Sequence, residues 1–303
     1  MHTVLNRARA WMYRHARPLD LMRFRYHFED GSREDVLTAL FAYQNPDSGF
    51  AHALEADSWS PHSSPLQTWC AVELLHEIGM TDSSHPIVQS ILTYLTSGAS
   101  FDGEQWHTVL QSNNNHPHAP WWSTEQDCHW NDNPTACLAG FLLLHCPKDS
   151  DGYALGLRCA KASATRLING DKQHDMHALR CYIRLYQYAK SAGCLHDLPN
   201  IKDALRIRIS EMITKNPQEW QTTYCCRPSQ LIDQNSNPFA ADHSELIAAE
   251  CSFILRTQLE NGAWEVPWSW GAYPAEWAVS RMWWQDDIII RNLLFLREFT
   301  GHP

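Results

Sequence analysis

The chain has 303 residues, 44% hydrophobic and 19% charged, and its 24 Lys and Arg stand against 34 Asp and Glu for a formal charge of −10. That balance opposes a phosphate backbone and no basic run offsets it, so nucleic acid is not an expected partner. With 13 Gly and 16 Pro and apolar residues along the whole length, low-complexity disorder and collagen-like repeats are excluded, which leaves 14 Trp as the anomaly to explain.

The first sixteen residues place Val4, Leu5, Ala8, Trp11 and Met12 on one helical stripe with Arg7, Arg9 and Arg14 off it. That pattern suits an outer packing helix, and equally a peripheral membrane contact. Helical periodicity then recurs around 33–44, 65–79, 85–97, 134–146, 153–168, 174–191, 199–214, 238–258 and 285–299, and strand-like alternation is scarce. The expected fold is all-α. Ser64-Pro65-Leu66, Asn133-Pro134-Thr135 and Asn237-Pro238-Phe239 each pair a capping residue with a proline suited to a first turn, as in a repeated helical hairpin. The longest apolar runs, Cys137 to Leu144 and the interrupted Ile288 to Leu296, are too short for a membrane span. Ten Cys without short-range pairing beyond Cys225-Cys226, and no leading signal segment, point to free thiols in a cytoplasmic protein, with peripheral membrane contact left open.

Connections leaving the capped helices are short, whereas 46–63, 98–132, 216–236 and 259–284 are long. If helices alternate in direction, the long segments gather at one end of the bundle, where function is expected. Twelve of the 14 Trp fall in these segments. Such indoles either seal that end as a second core or line a cavity there.

Two of the long connections open on related turns, Tyr43-Gln44-Asn45-Pro46-Asp47-Ser48-Gly49-Phe50 and Thr257-Gln258-Leu259-Glu260-Asn261-Gly262-Ala263-Trp264. Phe101-Asp102-Gly103-Glu104-Gln105-Trp106 is a degenerate third. The pattern resembles the QW repeat of squalene and oxidosqualene cyclases, of the squalene-hopene cyclase type, and the turns of protein prenyltransferase β subunits. The resemblance implies a single α/α toroid, a barrel of helical hairpins with long aromatic-rich loops at one end. It would span 1–303, with residues 1–30 as N-terminal outer helices. It also implies that each Gln bonds neighbouring helix ends as a brace around a cavity.

A class II cyclase protonates an alkene or epoxide with a neutral carboxylic acid, for which the family motif is Asp-X-Asp-Asp. This chain lacks it. The nearest forms are Trp284-Gln285-Asp286-Asp287 and Leu54-Glu55-Ala56-Asp57. Two carboxyls in one desolvated cavity cannot both stay ionised, so Glu55 with Asp57, or Asp286 with Asp287, are the candidate catalytic acids. The bland alternatives are a helix cap at Asp286 and Asp287 and loop-bracing backbone bonds at Glu55 and Asp57. The loop 113–122 sets His118, a candidate to tune or reprotonate the acid, beside Trp121 and Trp122. With His52, Trp59, Trp268, Trp270 and Trp284 these indoles form the expected binding wall, stabilising carbocations by cation–π attraction.

Cys128-His129, His116-X-His118 and Cys225-Cys226 supply metal-ligand types without the paired spacing of a zinc site, so no metal and no other cofactor is expected. Segments 46–63 and 98–132 contain no Lys or Arg, and 216–236 and 259–284 contribute only Arg227 and Arg281. A diphosphate would want more cations. The expected partner is a small hydrophobic, isoprenoid-like molecule, neutral or weakly polar. A carbohydrate-active (α/α)-barrel enzyme with paired carboxylates and Trp platforms, and a non-catalytic toroid binding a lipid or a protein, remain alternatives.

Overall fold

A computed structural model describes residues 2–125, 132–170 and 175–301. Among them the chain is all-helical, with isolated β-bridges as its only extended pairing. The helices are α1 His2–His15, α2 Pro18–Phe28, α3 Arg33–Phe41, α4 Pro65–Glu77, α5 Pro86–Thr96, α6 Thr135–His145, α7 Asp151–Asn169, α8 Met176–Ser191, α9 Ile201–Met212, α10 Ser244–Thr257 and α11 Pro274–Thr300. No described helix is long and apolar enough to cross a membrane. The nine described cysteines are free; Cys128 lies outside the described residues.

Two elements differ from expectation. The third capped helix begins at Ser244, because Asn237 Oδ1 accepts from Phe239 N in a local turn instead of capping a helix. The last helix starts at Pro274, behind a left-handed Tyr273 (φ 48°), so Trp277, Trp283 and Trp284 lie on α11 and not in a long loop. Of the three expected caps only Ser64 acts as one, its Oγ accepting from Gln67 N at 3.1 Å.

The chain divides into two compact units, residues 43–211 and the pair of segments 1–42 and 212–303. In the first, α6 is enclosed along nearly its whole length, as a helix apolar on all sides must be. It packs chiefly on α7 and α8. A Cβ at Gly140 would stand 3.0 Å from Leu185 Cα, so the absent side chain lets α6 and α8 close on each other. In the second unit α11 packs on α1, α2 and α10. The apolar stripe of α1 is used here: Val4, Ala8, Trp11 and Met12 are all buried.

The two Gln turns close alike. Gln44 Nε2 donates to Ser48 O at 3.2 Å and to Ser90 Oγ of α5 at 2.7 Å. Gln258 Nε2 donates to Gly262 O and to Val4 O of α1, both at 2.9 Å. Each amide thus pins its own turn and a neighbouring helix, and the following aromatics Phe50 and Trp264 are buried. Gly262 has φ 99°, and a Cβ there would lie 2.1 Å from Arg7 O. Gly262→Ala is therefore expected to lower unfolding free energy by at least about 2 kcal/mol. Thermal unfolding checks this, and a midpoint equal to wild type would show that the turn yields without cost.

Candidate functional site

The site in the unit 43–211 begins with the first turn of α4. Gln67, almost fully buried, has its backbone N–H held by Ser64 Oγ, which aims its amide back over the preceding loop. Its Oε1 accepts from Glu55 N at 2.7 Å and its Nε2 donates to Ser58 O at 2.8 Å. Inside the turn so clamped, Ser58 N donates to Glu55 O at 3.1 Å and Asp57 N donates to Glu55 Oε2 at 3.0 Å. Glu55 and Asp57 are both buried. Part of what holds them is thus the loop bracing given above as the bland alternative.

Just ahead of the acids, His52 and Ala53 adopt φ of 61° and 59°. Two successive non-glycine residues in the left-handed region cost about 1–2 kcal/mol each, and strain of this kind is kept where surrounding bonds over-determine it. Here His52 N donates to Ser60 O at 3.1 Å, Leu54 N to Ala51 O at 3.3 Å, and the exposed His52 imidazole bonds Asn45 Oδ1 through Nε2 at 2.9 Å.

The second loop is fastened alongside. Ser58 bridges His118 in antiparallel fashion, Trp59 N donates to Pro117 O at 3.0 Å and Ala119 N donates to Asp57 O at 2.8 Å. His118, buried at 9% exposure, donates from Nδ1 to His116 O at 2.7 Å. A carbonyl only accepts, so in the neutral ring Nε2 is the basic nitrogen. Trp121 and Trp122 follow in a short 3-10 turn, and Asn113 Nδ2 donates to Trp122 O at 3.1 Å. Trp122 is buried, while Trp59 and Trp121 are half-buried. Seven expected site residues, His52, Glu55, Asp57, Trp59, His118, Trp121 and Trp122, thus belong to two mutually bonded loops.

The other five belong to the second unit. Asp286 and Asp287 lie in the middle of α11 and cap nothing, since the helix begins well before them. Asp287 is held by Arg23 Nη2 at 3.0 Å and Arg291 Nε at 2.8 Å. Asp286 is fully buried; its Oδ1 accepts from Trp11 Nε1 at 2.9 Å and its Oδ2 has no hydrogen-bond partner. Burial, and then the neighbouring Asp20 carboxylate, push its pKa up to about 8, and the Trp11 N–H offsets only part of this. Asp20 itself is bound by Arg17 and by Arg23 Nη1. This pair therefore packs α1 and α2 onto α11. Trp268 stands edge-on to Trp284 with centroids 5.1 Å apart, and Trp270 is buried beside Trp277.

Sequence reasoning missed two buried ionic groups in the unit 43–211. Glu73 of α4 accepts a two-pronged contact from Arg184 of α8 (Nε 2.8 Å, Nη2 3.0 Å) and another from Arg180 Nε at 3.1 Å. Burial alone would raise its pKa, but Arg184 and Arg180 hold it well below the carboxylate range. Asp132 accepts from Arg166, Ser163 and Tyr182, and these bonds likewise outweigh burial and hold its pKa down. The partners are 31 or more positions apart in sequence, so spacing carries no signal. The one available hint is a charge at Glu73 between the apolar Val72 and Leu74.

No group of three or more His, Cys, Asp or Glu among the described residues is arranged to hold a metal ion, and Cys128-His129 and Trp130 lie outside those residues. No protein-family model, no curated protein and no solved structure matches this chain.

Proposed function

We propose that the chain is a small single-toroid enzyme of terpene-cyclase type, acting by acid protonation on a neutral or weakly polar isoprenoid. The observation that carries this reading is the strained, doubly clamped turn 52–59, which holds two buried carboxyls against the His118 loop. Asp57 or Glu55 is the proton donor, His118 Nε2 takes up the proton that the final carbocation loses and passes it back to the carboxylate, and Trp59, Trp121 and Trp122 stabilise developing positive charge. Two further facts support it. The Gln44 and Gln258 turns brace neighbouring helices in the manner the cyclase resemblance implies. The described parts of the two loops, 46–63 and 98–125, carry no Lys or Arg, which suits an uncharged substrate.

A second reading, a carbohydrate-active enzyme, is favoured by the half-buried state of Trp59 and Trp121 and the exposed His52, which suit stacking of a polar ring at an open mouth. One experiment separates the two: incubate the protein with neutral isoprenoids bearing terminal alkenes or epoxides, and with neutral oligosaccharides, and identify products by mass spectrometry. The expected result is isoprenoid turnover that falls at least about 100-fold in Asp57→Asn or Glu55→Gln and persists in Asp286→Asn. Turnover of the oligosaccharides selects the second reading. Isoprenoid turnover unaffected by both loop substitutions refutes the assigned site.

A further inference from the structure

The same two loops carry a second pair of side chains that the proposed reaction does not use. His62 is exposed on the segment leading into α4, and His116 is half-buried at the start of the His118 loop. Their ring centroids are 5.8 Å apart with planes at 59°. The backbone fixes both: His62 N donates to Ser60 Oγ at 3.3 Å and His116 N donates to Asn113 O at 3.0 Å. The hydrogen bonds of both residues among the described residues are made by the backbone and not by the imidazoles.

Ring nitrogens engaged elsewhere would close this position to ligands, as His118 Nδ1 and His52 Nε2 are closed. Here the two imidazoles lie side by side, centroids 5.8 Å apart and tilted at 59°, with no hydrogen bond on either ring among the described residues. Zinc–nitrogen bonds of about 2.0–2.1 Å, at tetrahedral or somewhat wider angles, place the centroids of two rings sharing one ion about 5–6 Å apart. Imidazole suits the late first-row divalent ions, whose affinity rises towards copper. We propose that His62 and His116 form a two-imidazole site for such a cation, with Zn2+ the probe, water completing its coordination. With two protein ligands in place of three or four, the ion is exchangeable. It would act as a clamp between the loop that carries Asp57 and the loop that carries His118. This does not depend on the reaction proposed above.

The test uses the full chain, stripped with EDTA and dialysed, and follows thermal unfolding and titration calorimetry with Zn2+ and then Ni2+. Because an ion that binds only the folded form stabilises it in proportion to the logarithm of its concentration, the wild-type midpoint should rise steadily with added Zn2+. His62→Ala and His116→Ala should each abolish the strongest calorimetric site and its share of the midpoint shift. The double variant should lose no more than either single one. His107→Ala, another exposed histidine, should bind as wild type. His62→Cys, which supplies a different zinc ligand, should retain binding and so separates a lost ligand from a disturbed loop. Absence of a midpoint shift in the wild type, or a strongest site that survives either alanine substitution, overturns the proposal.

Discussion

Glu73→Gln is expected to lower the unfolding free energy by about 3–5 kcal/mol, the cost of breaking a buried ion pair by removing one partner. Gln has nearly the shape of Glu and still offers one acceptor, so packing between α4 and α8 changes little. What changes is charge. Arg184 has 5% side-chain exposure and Arg180 24%, and both direct guanidinium N–H groups at Glu73, whose own side chain is 10% exposed. Without the carboxylate, Arg184, which also bonds Gln187, is left in the interior with its charge uncompensated by Glu73. Replacing Glu73, Arg180 and Arg184 together by Leu, Met and Met should recover most of the loss, since the triad's desolvation penalty vanishes along with its attraction. The pH dependence has a definite sign. Glu73 is held below its ordinary pKa in the fold, so its contribution is present above the unfolded value near 4.5 and is lost only as pH falls towards the depressed folded value. Urea unfolding of wild type and variant should therefore run parallel from pH 9 to pH 5. A difference below about 1 kcal/mol would show that the pair behaves as a solvated surface bridge.

Helix identity was legible in the sequence because burial follows periodicity: α6, all apolar, is enclosed, and α1 buries the stripe its spacing marks out. Helix ends were less so. Asn237-Pro238 has the same pairing as Ser64-Pro65, yet the Asn side chain closes on Phe239 N two residues on, a competition local sequence does not decide. The start of α11 was hidden because Trp277, Trp283 and Trp284 obscure the apolar period. Their positions are explained by tertiary contact, Trp284 against Trp268 and Trp283 under Arg17. The Gln turns were legible since a turn is local and its Gly262 stands where a side chain would strike Arg7. The loop site was legible as composition and not as geometry: Glu55, Asp57 and His118 were marked by residue type, whereas the joining groups are backbone amides and the amide of Gln67. Glu73 with Arg180 and Arg184 left only the hint of a charge between apolar neighbours, because a long-range ion pair has no spacing rule.

Asp286→Asn is expected to stabilise the protein increasingly as pH rises. In the fold the Asp286 pKa is pushed up to about 8 from an ordinary value near 3.8. The native state therefore holds a proton that the unfolded chain releases between those limits, and unfolding becomes easier as pH climbs through that window. Below about pH 4 both states are protonated and the carboxyl imposes no electrostatic penalty. Above that the penalty grows with pH until the folded group itself ionises, a total of a few kcal/mol. Asn removes the titration. The amide keeps the acceptor for Trp11 Nε1 and loses only the weak attraction of Arg17 for the carboxyl, so the variant should stay near wild type at pH 4 and surpass it by a few kcal/mol at pH 8. Glu250, also raised by burial, gives a slope of the same sign in both proteins and cancels in the difference. Urea midpoints at pH 4, 5, 6, 7 and 8 provide the comparison. Parallel curves would mean that Asp286 is ionised inside the fold, and the helices α1 and α2 would then owe their place on α11 to a carboxylate attracted by Arg17, not to a neutral acid bonded to an indole.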